Sequence, residues 1–491
     1  MGFIVKMTTV ILTFIGRRIF LQIFTIEYLG ITGLFGGILT VLSLADLGIE
    51  TAMIYSYYKP LAEGDDLKLA ALTRFYRKAY NRIAAVVAVL GLAVLPFLRL
   101  IVNTEQDIPY LEVYYLITLV NSVSTYLFVY KATVIRADQR GYRITRITIW
   151  MSVLRLGLQI AVMYATRNYM AYCAVSILAT MLYNLTINYV ADREYPQIKL
   201  KAELDPEEKR SIFQNIKAVF IYRIATVAID NTDNILISTI VSTAILGVYG
   251  NYSVTIVNLN MVAGIIFSSL TPSIGNLLVK ETPERQRRVF TMMQTISFWA
   301  AGVFTFCLYF LTDEFISLWI GPQYVFDEFT KIAILLVFYL GITQQPVRAF
   351  RDAGGLYQRV KNIMLITAAI NIALSVLLGL WLGVAGIILA TFISKVSTHI
   401  WYEPILLFRD FFDGKAGGYF KDQIINFVIV VACIALVRAL SPVYEATGWL
   451  RWVAKGCGCM VVINAVFFLR YFRTEEFADI KSRLKRALKN S

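Results

Sequence analysis

Long apolar segments that are almost free of charge dominate the chain. Of the 491 residues, 58% are apolar and 16% are charged, whereas a soluble domain has about 45–50% apolar and about 25% charged residues. A membrane-spanning helix needs about 20 mostly apolar residues, and the chain supplies fourteen such segments. This composition excludes a soluble enzyme, a disordered chain and a disulfide-rich scaffold, and it predicts an all-α polytopic membrane protein. The predicted spans are residues 7–29, 33–57, 83–102, 110–135, 147–166, 169–191, 216–241, 245–272, 290–311, 329–347, 362–382, 384–408, 422–440 and 449–469.

The connections between the predicted spans alternate in charge. Every second connection, together with both ends of the chain, holds most of the 47 lysines and arginines, and the other connections are short or acidic. Because basic loops stay in the cytoplasm, both termini are expected there. No small-residue cleavage site follows the first apolar run, so we expect a first span and not a removable signal peptide. The net charge of +14 follows from this topology and does not indicate a nucleic-acid partner.

The chain contains a weak internal repeat. A shift of 217 residues aligns Leu29–Phe35 with Leu246–Tyr252, and a similar shift pairs Gly141–Arg143 with Gly355–Arg359. Repeats in register with the spans predict two parallel six-helix lobes, which is a transporter architecture with the pathway between the lobes. The predicted organisation is an N-lobe at 1–191, a cytoplasmic linker at 192–215, a C-lobe at 216–408, two further helices within 409–469 and a basic cytoplasmic tail at 470–491.

Basic side chains inside the predicted spans indicate where a substrate binds. A charge within the bilayer is costly and usually faces a cavity or a partner. Guanidinium groups pair with phosphate oxygens through two parallel hydrogen bonds, so these residues predict a cationic cavity for an anionic substrate. Lys131 either belongs to this set or extends to the interface. The candidate binding residues are Arg17, Arg18, Arg155, Arg223 and Lys395.

Acidic side chains in the spans are candidates for coupling transport to a cation. Asp230 and Asp233 either bind Na⁺ or H⁺ or neutralise Arg223, which lies seven residues before Asp230 on the same helix face. Asp46 and Glu50 lie one turn apart in the second span and are candidates for charge pairing.

The single histidine is a further candidate for proton coupling. His399 follows Lys395 by four residues and precedes Glu403 by four, so one continuous helix would place all three on one face. Imidazole has an ordinary pKa near 6.5, which suits a proton relay.

Motifs for several other activities are absent from the sequence. The chain has no G-x-x-x-x-G-K-[ST] phosphate loop and no G-x-S-x-G elbow. One histidine and five scattered cysteines exclude the usual zinc sites. The longest predicted loops have about 25 residues, whereas a glycosyltransferase or polymerase site would need a larger one. We therefore predict a non-enzyme without a metal or cofactor, driven by an H⁺ or Na⁺ gradient, the membrane potential or the gradient of its substrate.

Short motifs across residues 10–410 resemble those of one family of membrane exporters. They are Arg18–Phe20, Glu27–Phe35, Leu42–Ile49, Tyr58–Ala62, Thr232–Ser238, Gly250–Tyr252, Ser273–Leu277, Phe350–Tyr357 and Trp401–Pro404. The family is that of the bacterial Wzx-type flippases for O-antigen and capsule repeat units, within the multidrug/oligosaccharidyl-lipid/polysaccharide (MOP) superfamily. Arg18 falls at its basic position in span 1, Arg223 at an expected basic position in span 7, and Asp233 in its T-D-N motif. Arg17 and Glu50 depart from the family pattern.

The resemblance implies a MATE-like architecture and a substrate. The substrate would be an oligosaccharide repeat unit on undecaprenyl pyrophosphate, flipped by alternating access from the inner to the outer leaflet of the bacterial cytoplasmic membrane. Partners would include membrane lipid, a polysaccharide polymerase and glycosyltransferases. The alternatives are a lipid II or multidrug exporter of the same superfamily and, from another class, a membrane glycosyltransferase or polymerase.

Overall fold

A computed structural model describes residues 2–43, 49–440, 448–479, 481 and 482. Side chains are described at these positions except at 2–7, 51, 52, 55, 211, 213–221, 223 and 268. The described residues form helices and connecting turns and contain no β-strand. The chain divides into two compact units, residues 1–247 and 248–491.

The first unit contains ten helices and the beginning of an eleventh. They are α1 (Gly2–Ile23), α2 (Ile26–Leu42), α3 (Ile49–Glu63), α4 (Asp66–Val94), α5 (Leu98–Ile101), α6 (Leu111–Thr125), α7 (Val129–Ala137), α8 (Gly141–Thr166), α9 (Tyr169–Glu194), α10 (Pro206–Leu236) and α11 (Thr243–Ser269).

The second unit contains the rest of α11 and eight further helices. They are α12 (Thr271–Lys280), α13 (Pro283–Trp319), α14 (Glu328–Thr343), α15 (Gln345–Ala353), α16 (Tyr357–Ser397), α17 (His399–Asp410), α18 (Gly417–Leu440) and α19 (Trp449–Tyr471).

These helices confirm the predicted all-α membrane fold. Ten helical stretches in the described part of the chain are long and apolar enough to cross a membrane. One of them, Tyr357–Asp410, contains two predicted spans because Gly383 interrupts the helix with a φ of 61° and a ψ of −138°. The three predicted spans outside these ten correspond to α1, to α2 with α3, and to α10. Eleven of the fourteen predicted spans therefore lie in stretches that are long and apolar enough to cross a membrane, and helices occupy the described parts of the other three.

The helices present apolar side chains to their surroundings, as lipid requires. Trp381 is 80% exposed and Leu450 is 85% exposed, a pattern that would be unfavourable in water. The interior instead uses polar side chains to join helices. The Asn184 amide donates to the carbonyl oxygen of Ser124 at 2.7 Å, and the Asn371 amide donates to the Thr391 hydroxyl at 2.9 Å. The protein is therefore a multi-pass membrane protein.

Two positions in the first unit show why small residues recur in the aligned repeat segments. A Cβ added to Gly30 on α2 would lie 1.9 Å from the carbonyl oxygen of Thr243, and one added to Gly247 would lie 2.4 Å from that of Ile26. Both distances are far below van der Waals contact, so the start of α11 can approach α2 only if both residues are glycine. The two glycines occupy equivalent positions in the repeat that the sequence predicts.

The division into units differs from the predicted lobe boundary. The predicted C-lobe begins at residue 216, whereas α10 packs against α2 and belongs to the first unit. Gly37 of α2 marks this contact, because its added Cβ would lie 3.1 Å from the Cβ of Asn234. The boundaries of the lobes and of the linker stay a prediction.

Candidate functional site

The first unit brings two of the predicted binding residues together. Helices α1 and α8 pack closely, since a Cβ on Gly16 would lie 2.9 Å from Cδ1 of Leu156. Arg17 and Arg155 are the neighbours of these two contact residues in the chain. The Tyr172 side chain on α9 interacts electrostatically with both guanidinium groups. Arg17 is half-buried and Arg155 is exposed, and Arg155 forms no ion pair with any residue that the structure describes.

An aromatic cluster continues from this pair of arginines along α1, α2 and α9. The ring centroid of Tyr169 lies 4.6 Å from that of Tyr28 and 4.8 Å from that of Tyr114. The Tyr169 hydroxyl shares a hydrogen bond of 2.8 Å with Thr32, and Phe20 packs against Tyr172 at 5.2 Å. These contacts hold α1, α2 and α9 together beside the arginines, and they provide the apolar and hydroxylated surroundings in which guanidinium groups bind anions strongly.

The other basic candidates in the first unit are less constrained. Arg18 is exposed on α1, about 100° around the helix from Arg17. Arg223 lies on α10, but its side chain is outside the described residues. The two acidic candidates on α10 differ in their surroundings, because Asp230 is exposed and Asp233 is buried.

The charge-pairing candidates lie near the start of α3. Asp46 is outside the described residues, whereas Glu50 forms an ion pair with Arg136 of α7. Lys131, also on α7, is 8% exposed and bonds to Asp192 and Asn188 of α9. Lys131 therefore neither extends to the interface nor faces an open cavity, because its charge is neutralised between two packed helices.

In the second unit the predicted stripe of Lys395, His399 and Glu403 is interrupted, which corrects the single-helix expectation. Thr398 has a φ of −131° and a ψ of −101°, so α16 ends before it and α17 begins after it. Lys395 is half-buried at the end of α16, while His399 and Glu403 are buried on α17. The Nδ1 atom of His399 is buried and has no hydrogen-bond partner among the described residues.

Glu403 pairs with an arginine that the charge analysis did not select. Arg351 of α15 donates to both carboxylate oxygens of Glu403, at 3.1 and 3.3 Å, and also to Asp352 at 2.8 and 3.0 Å. Arg351 is 5% exposed and Glu403 is 2% exposed. The sequence pointed to Arg351 only through its position in the motif Phe350–Tyr357. The pairing with Glu403 could not be predicted, because the two residues are 52 positions apart in the chain.

The described residues contain no cluster of three or more His, Cys, Asp or Glu side chains able to hold a metal ion. The five cysteines, distributed over both units, are free thiols. The candidate site around Arg17, Arg155 and Tyr172 consists of basic, aromatic and hydroxyl groups, which suit binding of an anion.

Comparison with known proteins identifies the family. A family model described as "Polysaccharide biosynthesis protein" matches residues 29–328, which is more than half of the chain. The chain belongs to this polysaccharide biosynthesis family. The membership confirms the resemblance that the sequence motifs indicated. No curated protein matches the chain in sequence.

Solved structures show that this polysaccharide biosynthesis protein has the fold of the MOP superfamily. It is similar to the lipid II flippase MurJ in an inward closed conformation, with a TM-score of 0.67, 12% identity and coverage of 96% of this chain and 99% of that one. It is similar to an inward-facing multidrug resistance MATE transporter of the MOP superfamily, with a TM-score of 0.59, 12% identity and coverage of 80% and 93%. A point mutant of the Vibrio cholerae MATE transporter VcmN gives a TM-score of 0.52 at 12% identity, with coverage of 83% and 100%.

Proposed function

We propose that the protein is a flippase for undecaprenyl-pyrophosphate-linked oligosaccharide repeat units. It would move them by alternating access from the inner to the outer leaflet of the bacterial cytoplasmic membrane, with both termini in the cytoplasm, for surface polysaccharide synthesis. Membership of a polysaccharide biosynthesis family and the MOP fold support this role. The observation that carries the proposal is the pair of guanidinium groups, Arg17 and Arg155, beside Tyr172 on closely packed helices.

The chemistry of this pair fits a diphosphate better than a cationic drug. A guanidinium at membrane depth attracts an anion, and its planar donors match phosphate oxygens. Oligosaccharide would lie in a hydrated cavity while the isoprenoid tail stays in lipid. The coupling cation would be carried by Asp230, Asp233 or His399. The proposed binding residues are Arg17, Arg18, Arg155, Arg223 and Lys395.

The protein would act between enzymes without itself being one. Glycosyltransferases would complete the repeat unit on the cytoplasmic side, and a polymerase would consume it on the other side. The longest connection between helices in the described part of the chain, residues 195–205, has only eleven residues and is too short to form a domain. Energy would come from an H⁺ or Na⁺ gradient or from the membrane potential.

The proposal is tested by measuring export of surface polysaccharide in cells that lack their own copy of the gene and produce a variant of the protein instead. Arg17→Gln and Arg155→Gln should each reduce surface polymer by about 10-fold or more, since a charged hydrogen bond contributes about 1.5–3 kcal/mol. Charge reversal at Arg18 and Arg223 to Glu should abolish export. The matched control is Arg167→Gln, which removes an exposed cation just beyond the end of α8.

Each variant must be present in the membrane at the level of the unmodified protein. Normal export by Arg17→Gln and Arg155→Gln at that level would contradict the phosphate-binding role. Rescue of cells depleted of their lipid II flippase would instead identify lipid II as the substrate. Drug resistance without polymer export would indicate a multidrug exporter, and sugar transfer by the purified protein would indicate an enzyme.

A further inference from the structure

The first unit contains a separate basic cavity, which neither Arg17 nor Arg155 lines. It has a volume of about 410 Å³ and lies between α4 and the segment that leads into α10. The wall from α4 includes Arg74, Lys78 and Arg82, and the opposite wall includes Glu203 and Lys209. None of these five residues was a candidate from the sequence.

The three cations on α4 follow one another at intervals of four residues. This spacing places them in a row on one helix face, where like charges repel and destabilise the helix. Among the described residues that line the cavity, Glu203 is the only carboxylate, and its Oε1 lies 3.9 Å from Arg74 and 3.8 Å from Lys78. Arg82 and Lys209 form no ion pair with any residue that the structure describes. The cavity therefore has an excess of positive charge that an anion would neutralise.

The remainder of the cavity lining is apolar. Ile49, Phe75, Ile83 and Leu204 contribute hydrocarbon surface next to the cations. A small inorganic anion would leave this surface in contact with water, whereas an amphiphile would cover it and gain hydrophobic stabilisation. The lining thus favours a ligand with a phosphate group attached to a hydrocarbon portion.

The position of the cavity along α4 corresponds to the surface of a membrane. Arg82 is followed by residues 83–98, which contain no charged side chain. The cations therefore lie just outside the apolar part of the span, at the depth where lipid phosphates lie. The opposite wall is tied to α4 by an ion pair between Lys68 and Glu208, so the cavity is built by two connected segments.

We propose that this cavity binds the phosphate or diphosphate headgroup of an anionic membrane lipid. Arg74, Lys78, Arg82 and Lys209 hold the phosphate oxygens, and the apolar residues contact the first carbons of the lipid chain. The ligand is a bulk anionic phospholipid or an isoprenoid diphosphate, which share this chemistry. The inference does not depend on flipping, because it concerns binding at one surface only.

Native mass spectrometry of the purified full-length protein tests the site. The probes are dioleoylphosphatidylglycerol, undecaprenyl pyrophosphate, inorganic pyrophosphate and, as a neutral lipid, dioleoylphosphatidylcholine. Arg82→Gln with Lys209→Gln should weaken binding of at least one anionic lipid about tenfold or more. The double variant Arg82→Lys with Lys209→Arg keeps both positive charges and should retain most of the binding of that lipid. The control is Arg77→Gln on another face of α4, because Arg77 is exposed and does not line the cavity.

The outcomes separate the possible ligands and also separate this site from the flippase proposal. Selective loss of phosphatidylglycerol binding identifies a bulk lipid, and selective loss of undecaprenyl pyrophosphate binding identifies an isoprenoid diphosphate. Equal weakening by Arg77→Gln, unchanged binding in the double glutamine variant, or binding of inorganic pyrophosphate alone would overturn the inference. Export defects at Arg17 or Arg155 do not affect this assay, so the two proposals fail independently.

Discussion

Removing one member of the buried ion pair in the second unit should have unequal effects on stability. Glu403 is 2% exposed, and Arg351 is its only hydrogen-bond partner among the described residues. Arg351 has a second carboxylate partner, Asp352, at 2.8 Å. Arg351→Met therefore leaves a buried carboxylate without a counter-charge, whereas Glu403→Gln leaves the guanidinium paired with Asp352.

The geometry sets the expected magnitudes. Removing one partner so that the other remains buried and charged costs about 3–5 kcal/mol, which applies to Arg351→Met. Losing one charged hydrogen bond while another persists costs about 1.5–3 kcal/mol, which applies to Glu403→Gln. The double variant Arg351→Met with Glu403→Met removes both charges. Replacing a buried ion pair by apolar side chains often changes the free energy of unfolding little. The double variant should therefore be more stable than Arg351→Met alone.

Thermal unfolding in detergent, followed by intrinsic fluorescence, provides the measurement. The melting temperature should fall in the order unmodified protein, Glu403→Gln, Arg351→Met, with the double variant above Arg351→Met. Arg359→Met is the matched control, because Arg359 pairs with Asp410 but is 55% exposed, and exposed pairs contribute about 0–1 kcal/mol. A Glu403→Gln variant that melts at or below Arg351→Met would refute this reasoning.

Two further predictions concern packing and capping. Gly30→Ala should greatly reduce the yield of folded protein, because the added Cβ would lie 1.9 Å from the carbonyl oxygen of Thr243. Gly33→Ala is the control and should be tolerated, because the atom nearest to its added Cβ lies 3.8 Å away. Equal yields of the two variants in membrane extracts would contradict the close approach of α11 to α2. Asp327→Ala should cost about 1 kcal/mol in detergent unfolding, because the Asp327 carboxylate caps α14 by accepting from the Thr330 amide at 2.9 Å. Partial burial raises the pKa of Asp327, but hydrogen bonds from the Thr330 hydroxyl and from the backbone amides of Asp327, Phe329 and Thr330 together lower it by more, so the net pKa is below its ordinary value. The difference in unfolding free energy between the unmodified protein and Asp327→Ala should therefore be complete above about pH 4 and disappear as the pH falls through the lowered pKa of Asp327. A difference that grows on acidification would contradict the capping role.

The membrane fold could be predicted from the sequence because spanning is a local property. Whether a segment partitions into lipid depends on the sum of about 20 consecutive side chains, and this sum identified Gly417–Leu440 and Trp449–Tyr471 without knowledge of their neighbours. The break at Gly383 agrees with the predicted spans 362–382 and 384–408, which lie on either side of this residue. The break at Thr398 was not expected, because the spacing of Lys395, His399 and Glu403 is equally compatible with a continuous helix.

The sequence by itself determined the class of the protein, its spans and the basic side chains on which the anion-binding proposal rests. Tertiary structure decided which charges are available and which are neutralised. Lys131 and Asp192 are 61 residues apart, and Arg351 and Glu403 are 52 apart, so neither ion pair could be read from spacing along one helix. The basic cavity likewise required α4 to lie beside the segment around Lys209. The physical reason is that lipid partitioning adds up along the chain, whereas the energy of a charge depends on groups that only helix packing brings near it.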